Sequence, residues 1–295
     1  QYKGGLIMRS IDDLKRWKEK YNLTLTPIVK GTKKPGVKES DKWEPFDRWS
    51  YDVLLKSEKL GFFQKPSGVF TLDFDDKKYV AHKFLRLFPE TFTDGKFLDE
   101  TIGSFVATHL TYKVNGQGAL DFKYPPRAKG KDDGLLLETL FNKQTIFTGG
   151  DRKAIEKPIA SVDIKYLEKL CKLTCFFTEL FKAYDVGEGG RDELHLRLTG
   201  CLARLDAEEY PTELLDQWQE YFLHLVGDTQ EIKNRLKIAR QRKNLEAGKN
   251  VYGIKDLCKQ LGNVKLEAYN LLKSDVEEEL QETDKDPKEY PLIDG

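Results

Sequence analysis

The feature that most constrains this fold is a change in the spacing of apolar residues near residue 160. Before that point, short apolar runs of strand type occur at Val69–Asp75, at Ser104–Val114 and twice within Leu135–Phe147. After Ala160, apolar residues recur at the spacing of a helix, as in Leu167, Leu170, Leu173, Phe177 and Leu180. The pattern predicts an α+β fold, with a mostly antiparallel sheet first and a small all-α helical bundle second.

The length of the chain indicates more than one domain. Its 295 residues exceed what a single compact core usually holds, so we expect a large domain at 1–160 and a helical domain at 161–274. Residues 275–295 are acidic and poor in apolar side chains, which is typical of a tail or linker. We therefore interpret the chain as part of a longer intracellular protein.

The charge of the chain is unevenly distributed. The formal net charge is zero, which argues against a generally basic nucleic-acid binder. Residues 1–150, however, carry 26 lysines and arginines against 20 acidic residues, whereas residues 274–295 carry 2 against 9. The acidic tail hides a mildly basic body, so a nucleic-acid partner stays open.

The compartment follows from the apolar runs and the cysteines. No apolar run approaches the roughly 18 to 20 residues that a membrane span needs, so we expect no membrane association. The four cysteines lack the density of a disulfide scaffold and the paired spacing of a zinc site. We expect Cys171, Cys175, Cys201 and Cys258 to be small core residues of a cytoplasmic protein.

The sharpest local signal is the pair of carboxylates in Leu72-Asp73-Phe74-Asp75. Strand alternation places Asp73 and Asp75 on one face of the strand, where like charges repel. A cation relieves that repulsion, and hard oxygen ligands favour Mg²⁺ or Mn²⁺. The alternative is that the strand simply ends in a polar loop.

Neighbouring segments give this pair a context. Residues 27–35 read PIVKGTKKP, tryptophans follow at Trp43 and Trp49, and a glycine-led approach from Gly61 reaches the Asp73 strand. This order resembles the prim-pol proteins of the archaeo-eukaryotic primase superfamily, as found on plasmids and phages. The resemblance extends in order over most of residues 23–150, and it implies that Asp73 and Asp75 are catalytic metal ligands.

A second motif of that family is a small residue, any residue and then histidine on a strand, and Ala107-Thr108-His109 fits it. The resemblance implies that His109 donates a hydrogen bond to the phosphates of the incoming nucleotide. Serine is common where this chain has Ala107, so Thr108 is the candidate for the hydroxyl contact. The other three histidines, His82, His195 and His224, fit helix-surface or core positions.

The third motif is a later acidic residue in an apolar run, here Glu138 in Leu135–Leu140. A carboxylate buried there without a partner would be costly, so Glu138 is the expected third metal ligand and catalytic carboxylate, although the family more often uses Asp. Downstream, Lys143 is either a phosphate contact or an exposed turn lysine.

The helical half carries its own basic positions. Arg191 follows a glycine-rich turn, and basic residues then outnumber acidic ones between residues 231 and 249. Such a surplus suits phosphate contacts, with Arg191, Arg240, Arg242 and Lys243 as candidates, although charge alone favours a flexible loop followed by a solvated helix face. This half also resembles, more loosely, the helix-bundle domain that follows the catalytic domain in replication prim-pols.

Together these resemblances imply a DNA primase-polymerase that performs template-directed nucleotidyl transfer by a two-metal mechanism. The implied partners are a single-stranded DNA template, a primer-template and dNTPs, rNTPs or both, with Mg²⁺ or Mn²⁺ as cofactor. The implied setting is replication of a plasmid, virus or other mobile element, where a helicase domain often follows in the same chain. Two alternatives remain, a metal-dependent nuclease and a non-catalytic template-binding replication-initiator module.

Overall fold

The computed structural model describes residues 9–36, 49–76, 78–99, 104–129, 134–184, 191–228, 237–261 and 266–273. The fold is α+β, as predicted. The chain divides into two compact units, Gln1–Thr178 and Glu179–Gly295, and the division falls within a long helix. The expected domain boundary after residue 160 stays a prediction, and the predicted tail at 275–295 and Trp43 lie outside the described residues.

The first unit combines short helices with nine strands among its described residues. The chain begins with α1, Ile11–Lys15, which continues as a π-helical turn, Arg16–Lys20. Next come β1 (Thr24–Ile28), α2 (Tyr51–Lys56), β2 (Lys59–Phe63), β3 (Val69–Phe74), a 3₁₀ helix (Ala81–Leu87), β4 (Phe92–Asp99) and β5 (Ser104–Lys113). The last strands are β6 (Lys123–Tyr124), β7 (Leu137–Leu140), β8 (Gln144–Thr148) and β9 (Arg152–Ile155), and α3 (Ile164–Ala183) follows.

The strands form two sheets. One has three strands in the order β1-β2-β8, and the other has six in the order β6-β7-β3-β5-β4-β9. Every pairing between these strands is antiparallel within the described part of the chain. The predicted strands at Val69–Asp75 and Ser104–Val114 therefore form, as β3 and β5, at the centre of the larger sheet.

An aromatic core packs between the smaller sheet and the start of the chain. The ring of Phe147 lies 4.9 Å from Trp17, 5.5 Å from Phe62 and 6.0 Å from Phe92, measured between ring centroids. Trp17 is anchored because its indole N–H donates to Glu156 at 2.9 Å. Phe92 belongs to the larger sheet and Phe147 to the smaller one, so this aromatic cluster packs the two sheets together.

The opposite face of the larger sheet is also covered. Phe70, Leu72 and Phe74 alternate along β3 and are fully buried. The ring of Phe74 contacts Phe88 at 5.7 Å, just after the 3₁₀ helix. With these apolar side chains on one face, the residues between them must point to the other face.

The second unit is helical in its described residues. It contains the end of α3, then α4 (Arg191–Ala203), α5 (Thr212–Leu225), α6 (Ile238–Glu246), α7 (Ile254–Leu261) and α8 (Leu266–Asn270). Gly200 on α4 packs so closely on the Tyr252 backbone carbonyl that a Cβ would lie 2.7 Å from that oxygen. In this unit His195 and Asp228 form a buried pair, with Nε2 and Oδ2 2.6 Å apart.

Two further expectations have an outcome here. Cys171, Cys175 and Cys201 are buried, as predicted, and burial raises the pKa of the Cys171 and Cys201 thiols, whereas Cys258 is half-buried. None of the helices in the described ranges has the length and apolar character needed to cross a bilayer.

Candidate active site

Four charged side chains stand in a single row across four neighbouring strands of the larger sheet. In the antiparallel register, Glu138 on β7 is opposite Asp73 on β3, Asp73 is opposite His109 on β5, and His109 is opposite Asp94 on β4. Residues directly opposed in antiparallel strands project from the same face with Cβ atoms about 5 Å apart. The pairing therefore brings together Asp73, His109 and Glu138, which lie far apart in the sequence.

Strand alternation explains which way the row points. Leu72 and Phe74 are buried on the covered face of the sheet, so Asp73 must project from the other face. Two residues before Asp73 on β3, Thr71 projects from the same face as Asp73, and its hydroxyl is 3.1 Å from the hydroxyl of Thr111.

The imidazole of His109 lies between two carboxylates. Its Nδ1 is 2.7 Å from Asp94 Oδ1, and its Nε2 is 3.1 Å from Asp73 Oδ1. Burial by itself disfavours the charged ring, yet the carboxylates of Asp94 and Asp73 outweigh it and raise the pKa of His109 above its ordinary value. The two carboxylates thus favour the protonated ring, and Arg152, whose Nη1 is 3.2 Å from His109 Nδ1, opposes them.

Asp73 is the more accessible of the two carboxylates, with 22% of its side chain exposed against 0% for Asp94. Burial tends to raise the pKa of Asp73, but the charge and hydrogen bond of His109, helped by Arg152 and Lys96, hold it below its ordinary value. Asp73 is therefore ionised at neutral pH. It is the carboxylate of the His109 pair that a ligand can reach.

Sequence reasoning missed Asp94 and Arg152. Arg152 on β9 donates from Nη1 to Asp94 Oδ1 at 2.8 Å and to Thr108 Oγ1 at 3.3 Å. The Thr108 hydroxyl, expected to contact nucleotide, is buried and has Arg152 as its partner. The sequence did carry a signal for Asp94. A glycine within a run of strand-type residues indicates a β-bulge, and Asp94 directly precedes Gly95 at such a bulge.

Glu138 and Lys143 lie at the other end of the row. The ammonium group of Lys143 is 3.4 Å from both carboxylate oxygens of Glu138, with 60% of the lysine side chain exposed against 18% for Glu138. Glu138 is also opposite Lys123 on β6. Its negative charge is thus partly balanced from the side away from Asp73.

Asp75 is placed differently from the rest of the predicted site. It follows the last residue of β3, and its backbone N–H donates to the carbonyl of Leu136 at 3.1 Å. Asp75 is half-buried and does not join the cross-strand row. The two aspartates are thus neighbours along the chain, but only Asp73 is directly opposed to His109 and Glu138.

The donor chemistry of Asp73 and Glu138 fits a hard divalent cation, since they are opposed carboxylates whose oxygens Mg²⁺ and Mn²⁺ prefer. The side-chain positions are less favourable, because Asp73 already faces His109. Within the described ranges, no three His, Cys, Asp or Glu side chains are grouped so that they could hold a metal ion. A cation at Asp73 would have to share this carboxylate with the imidazolium or displace it.

A lysine-bearing loop approaches the same strand region. Lys30, Lys33 and Lys34 are exposed in the turn after β1, and the side-chain amide of Gln144 donates to the backbone carbonyl of Lys33. Gln144 directly follows Lys143 in the chain. The loop is thus tied to the segment that carries a candidate phosphate contact.

No sequence profile of a known protein family matches this chain, and a search of curated proteins finds no match either.

The basic positions of the second unit divide into two kinds. Arg240 and Lys243 are exposed on α6, so both can reach a phosphate. Arg242 points inward and donates to the carbonyls of Tyr210 at 2.7 Å and Leu205 at 3.2 Å. Its third bond is to the Thr212 hydroxyl at 2.9 Å, so its guanidinium holds α6 to the turn before α5. Only the backbone of Arg191, the first residue of α4, is described.

Proposed function

We propose that the chain is a DNA primase-polymerase, which transfers nucleotidyl groups from dNTPs, rNTPs or both onto a strand paired to a template. The observation that carries this proposal is the cross-strand row of Glu138, Asp73 and His109. Two opposed carboxylates beside an imidazolium suit a triphosphate that arrives with a divalent cation, because the row offers both signs of charge at one place.

Nucleotidyl transfer requires a 3′-hydroxyl in line with the α-phosphorus of the incoming nucleotide. Asp73 and Glu138 would hold Mg²⁺ or Mn²⁺, which would stabilise charge on the attacking and leaving oxygens, and Asp75, outside the row, stays a predicted ligand. The protein's own task is to bind and orient the triphosphate. In this proposal His109 presents its Nε2 proton to a phosphate oxygen, and the exposed Lys143 ammonium approaches the same anion.

The exposed lysines 30, 33 and 34 support this assignment. They are tied to the strand after Lys143 by the bond from Gln144 to the Lys33 carbonyl, so several ammonium groups belong to one region of the first unit. Positive charge there would attract a triphosphate and a template backbone. The single-stranded DNA template and the primer-template are the proposed nucleic-acid partners.

In the second unit, Arg240 and Lys243 are the proposed phosphate contacts, with Arg191 as a further candidate. Starting a chain requires holding nucleotides and a single strand without help from a duplex, so this unit would matter most for priming. The proposed setting is cytoplasmic replication of a plasmid, virus or other mobile element. A helicase domain in the same full-length chain is part of this proposal.

A primer-extension assay with a primed template, dNTPs and Mg²⁺ or Mn²⁺ tests the proposal. Extension that is lost in Asp73→Asn and kept in Asp121→Asn, a matched change at an exposed aspartate, supports it. Degradation of the template would indicate a metal-dependent nuclease instead. No reaction with retained binding of single-stranded DNA would contradict catalysis.

One observation favours a non-catalytic template-binding initiator module as the second candidate. The Asp73 carboxylate has an ion-pair partner in His109, so the row is electrostatically stable without a cation. A row of charged side chains with a purely structural role would likewise be stable without a cation. Titration with Mn²⁺ separates the candidates, because a structural row would bind no ion in the presence of dNTP.

A further inference from the structure

The carboxylate of Asp94 is fully buried, and burial is unfavourable for a charged group. Its Oδ1 accepts from His109 Nδ1 at 2.7 Å and from Arg152 Nη1 at 2.8 Å. Its Oδ2 is buried and has no hydrogen-bond partner in the part of the chain that the structure describes. All of its hydrogen bonding there is thus through the oxygen that faces the imidazole and the guanidinium.

The backbone around Asp94 is shaped for this contact. The register between β4 and β5 shifts between Asp94 and Gly95, which is the mark of a β-bulge. At Gly95 a Cβ atom would overlap the Val106 carbonyl oxygen and the Phe105 ring, so only glycine lets the strands approach this closely. Bulges re-aim side chains, and this one leaves Asp94 directly opposed to His109.

The bond to Asp94 fixes the direction in which the ring of His109 points. A histidine that donates Nδ1–H to a carboxylate has its ring orientation fixed, and its other nitrogen is then aimed along one line. In this structure that line from Nε2 leads to Asp73. Without Asp94 the ring could rotate about its side-chain bonds, and the Nε2 proton would have no fixed direction.

We propose that Asp94 is a positioning residue, which acts through His109 to aim the Nε2 proton at the edge of the site where Asp73 and the triphosphate meet. Arg152 holds Asp94 in place from the opposite strand. This inference rests on the proposed function. Asp94 itself touches neither nucleotide nor metal, and its effect requires the imidazole.

A double-mutant cycle on primer extension tests this dependence. Asp94→Asn keeps the size of the side chain and removes its charge, and we expect the kcat/KM for nucleotide to fall about ten- to hundredfold, mainly through KM. In a His109→Ala background the same change should alter kcat/KM less than about twofold, because the group that Asp94 orients is gone. An equal fall in both backgrounds, or unchanged kcat/KM in folded Asp94→Asn, would overturn the proposal.

The chain offers a matched control in the second unit. Asp228 is also a buried carboxylate paired with an imidazole, His195, at 2.6 Å. We expect Asp228→Asn to lower the unfolding temperature and to leave the nucleotide KM of extension unchanged. If it raises that KM as Asp94→Asn does, then loss of any buried Asp–His pair suffices and the specific role of Asp94 is wrong.

A readout without activity keeps the two proposals separable. The chain has only four histidines, so their ring N–H protons can be resolved by ¹⁵N-edited NMR of the whole protein. We expect a solvent-protected Nδ1–H of His109 in the wild type and faster exchange of this proton in Asp94→Asn, whose neutral amide oxygen is a weaker acceptor. Absence of the protected proton from the folded wild type would overturn the role of Asp94, whether or not the variants fold.

The combined outcomes distinguish the two failures. A wild type that shows this protected proton and extends no primer would refute the proposed function, while Asp94 would still be the residue that orients His109. A wild type that extends primers, with extension by folded Asp94→Asn unaltered, would refute only the role of Asp94.

Discussion

Asp73 and His109 face each other across β3 and β5, with His109 Nε2 3.1 Å from Asp73 Oδ1. The expected metal ligand and the expected phosphate donor are therefore each other's partners in this structure. If a phosphate oxygen of the triphosphate accepts the hydrogen bond from His109 Nε2 in place of Asp73, this carboxylate becomes available to a cation. Binding of nucleotide and metal should consequently be coupled, since each ligand releases the residue that the other one needs.

Replacing Asp73 tests the central position of the row. Asp73→Asn should reduce extension at least about a hundredfold, because it removes the accessible carboxylate, while His109 keeps its bond to Asp94 and the fold is retained. Steady-state primer extension and circular dichroism are the measurements. Extension that recovers at saturating Mn²⁺ would show that Asp73 is dispensable as a ligand.

Replacing His109 should separate nucleotide binding from template binding. His109→Ala is expected to raise the nucleotide KM more than the Kd for template, and to tighten Mn²⁺ binding without nucleotide because the competing imidazolium is gone. It should also destabilise the protein by about 2 kcal/mol, since Asp94 loses one charged hydrogen-bond partner and keeps Arg152. Equal damage to nucleotide and template binding would indicate a purely structural histidine.

The stability of the protein should depend on pH through His82. This ring is buried against Phe74 and Tyr79, and burial lowers the pKa of His82 to about 4. Above about pH 6.5, His82 is neutral in both the folded and the unfolded chain, and the full stability is present. Below that pH the unfolded chain binds a proton that the folded chain does not bind, so the free energy of unfolding falls toward pH 4 by up to about 3 kcal/mol.

Chemical denaturation at pH 7 and pH 4.5, for the wild type and His82→Gln, measures this term. The variant should lose less stability on acidification than the wild type. His224→Gln, the same change at a half-exposed histidine on α5, is the control. An equal loss of stability on acidification in the wild type and His82→Gln would show that folding leaves the pKa of His82 unchanged.

The basic positions of α6 should differ in what they do. Arg240→Ala with Lys243→Ala should lower the salt dependence of single-stranded DNA binding by up to roughly two units and reduce priming more than extension. Arg242→Ala should instead cost about 2 kcal/mol of stability, because its guanidinium makes three hydrogen bonds within the unit.

Salt titrations of DNA binding, thermal unfolding and a de novo priming assay make this comparison. Lys255→Ala with Lys259→Ala removes the same charge from exposed positions on α7 and should leave priming unaltered. If that control reduces priming as far as the α6 pair does, the effect is one of net charge. Priming at the wild-type rate in the α6 pair would mean that this helix face is only solvated.

Much of the architecture was readable from local patterns. Period-two alternation is a property of each strand alone, so it predicted β3 and β5 and the face on which Asp73 lies. Helical spacing after residue 160 predicted the second half in the same way. Neither pattern depends on which element lies next to which.

Partnership between strands was decided only by the tertiary structure. The order β6-β7-β3-β5-β4-β9 does not follow the chain, so no local pattern could tell that Glu138 is opposite Asp73 or that Asp94 is opposite His109. Arg242 shows the same limit, because composition marks it as basic but only the placement of α6 turns it inward. The sequence by itself determined the faces of single elements, since these follow from backbone geometry. The neighbours of each face depended on packing the whole chain at once, which no local segment encodes.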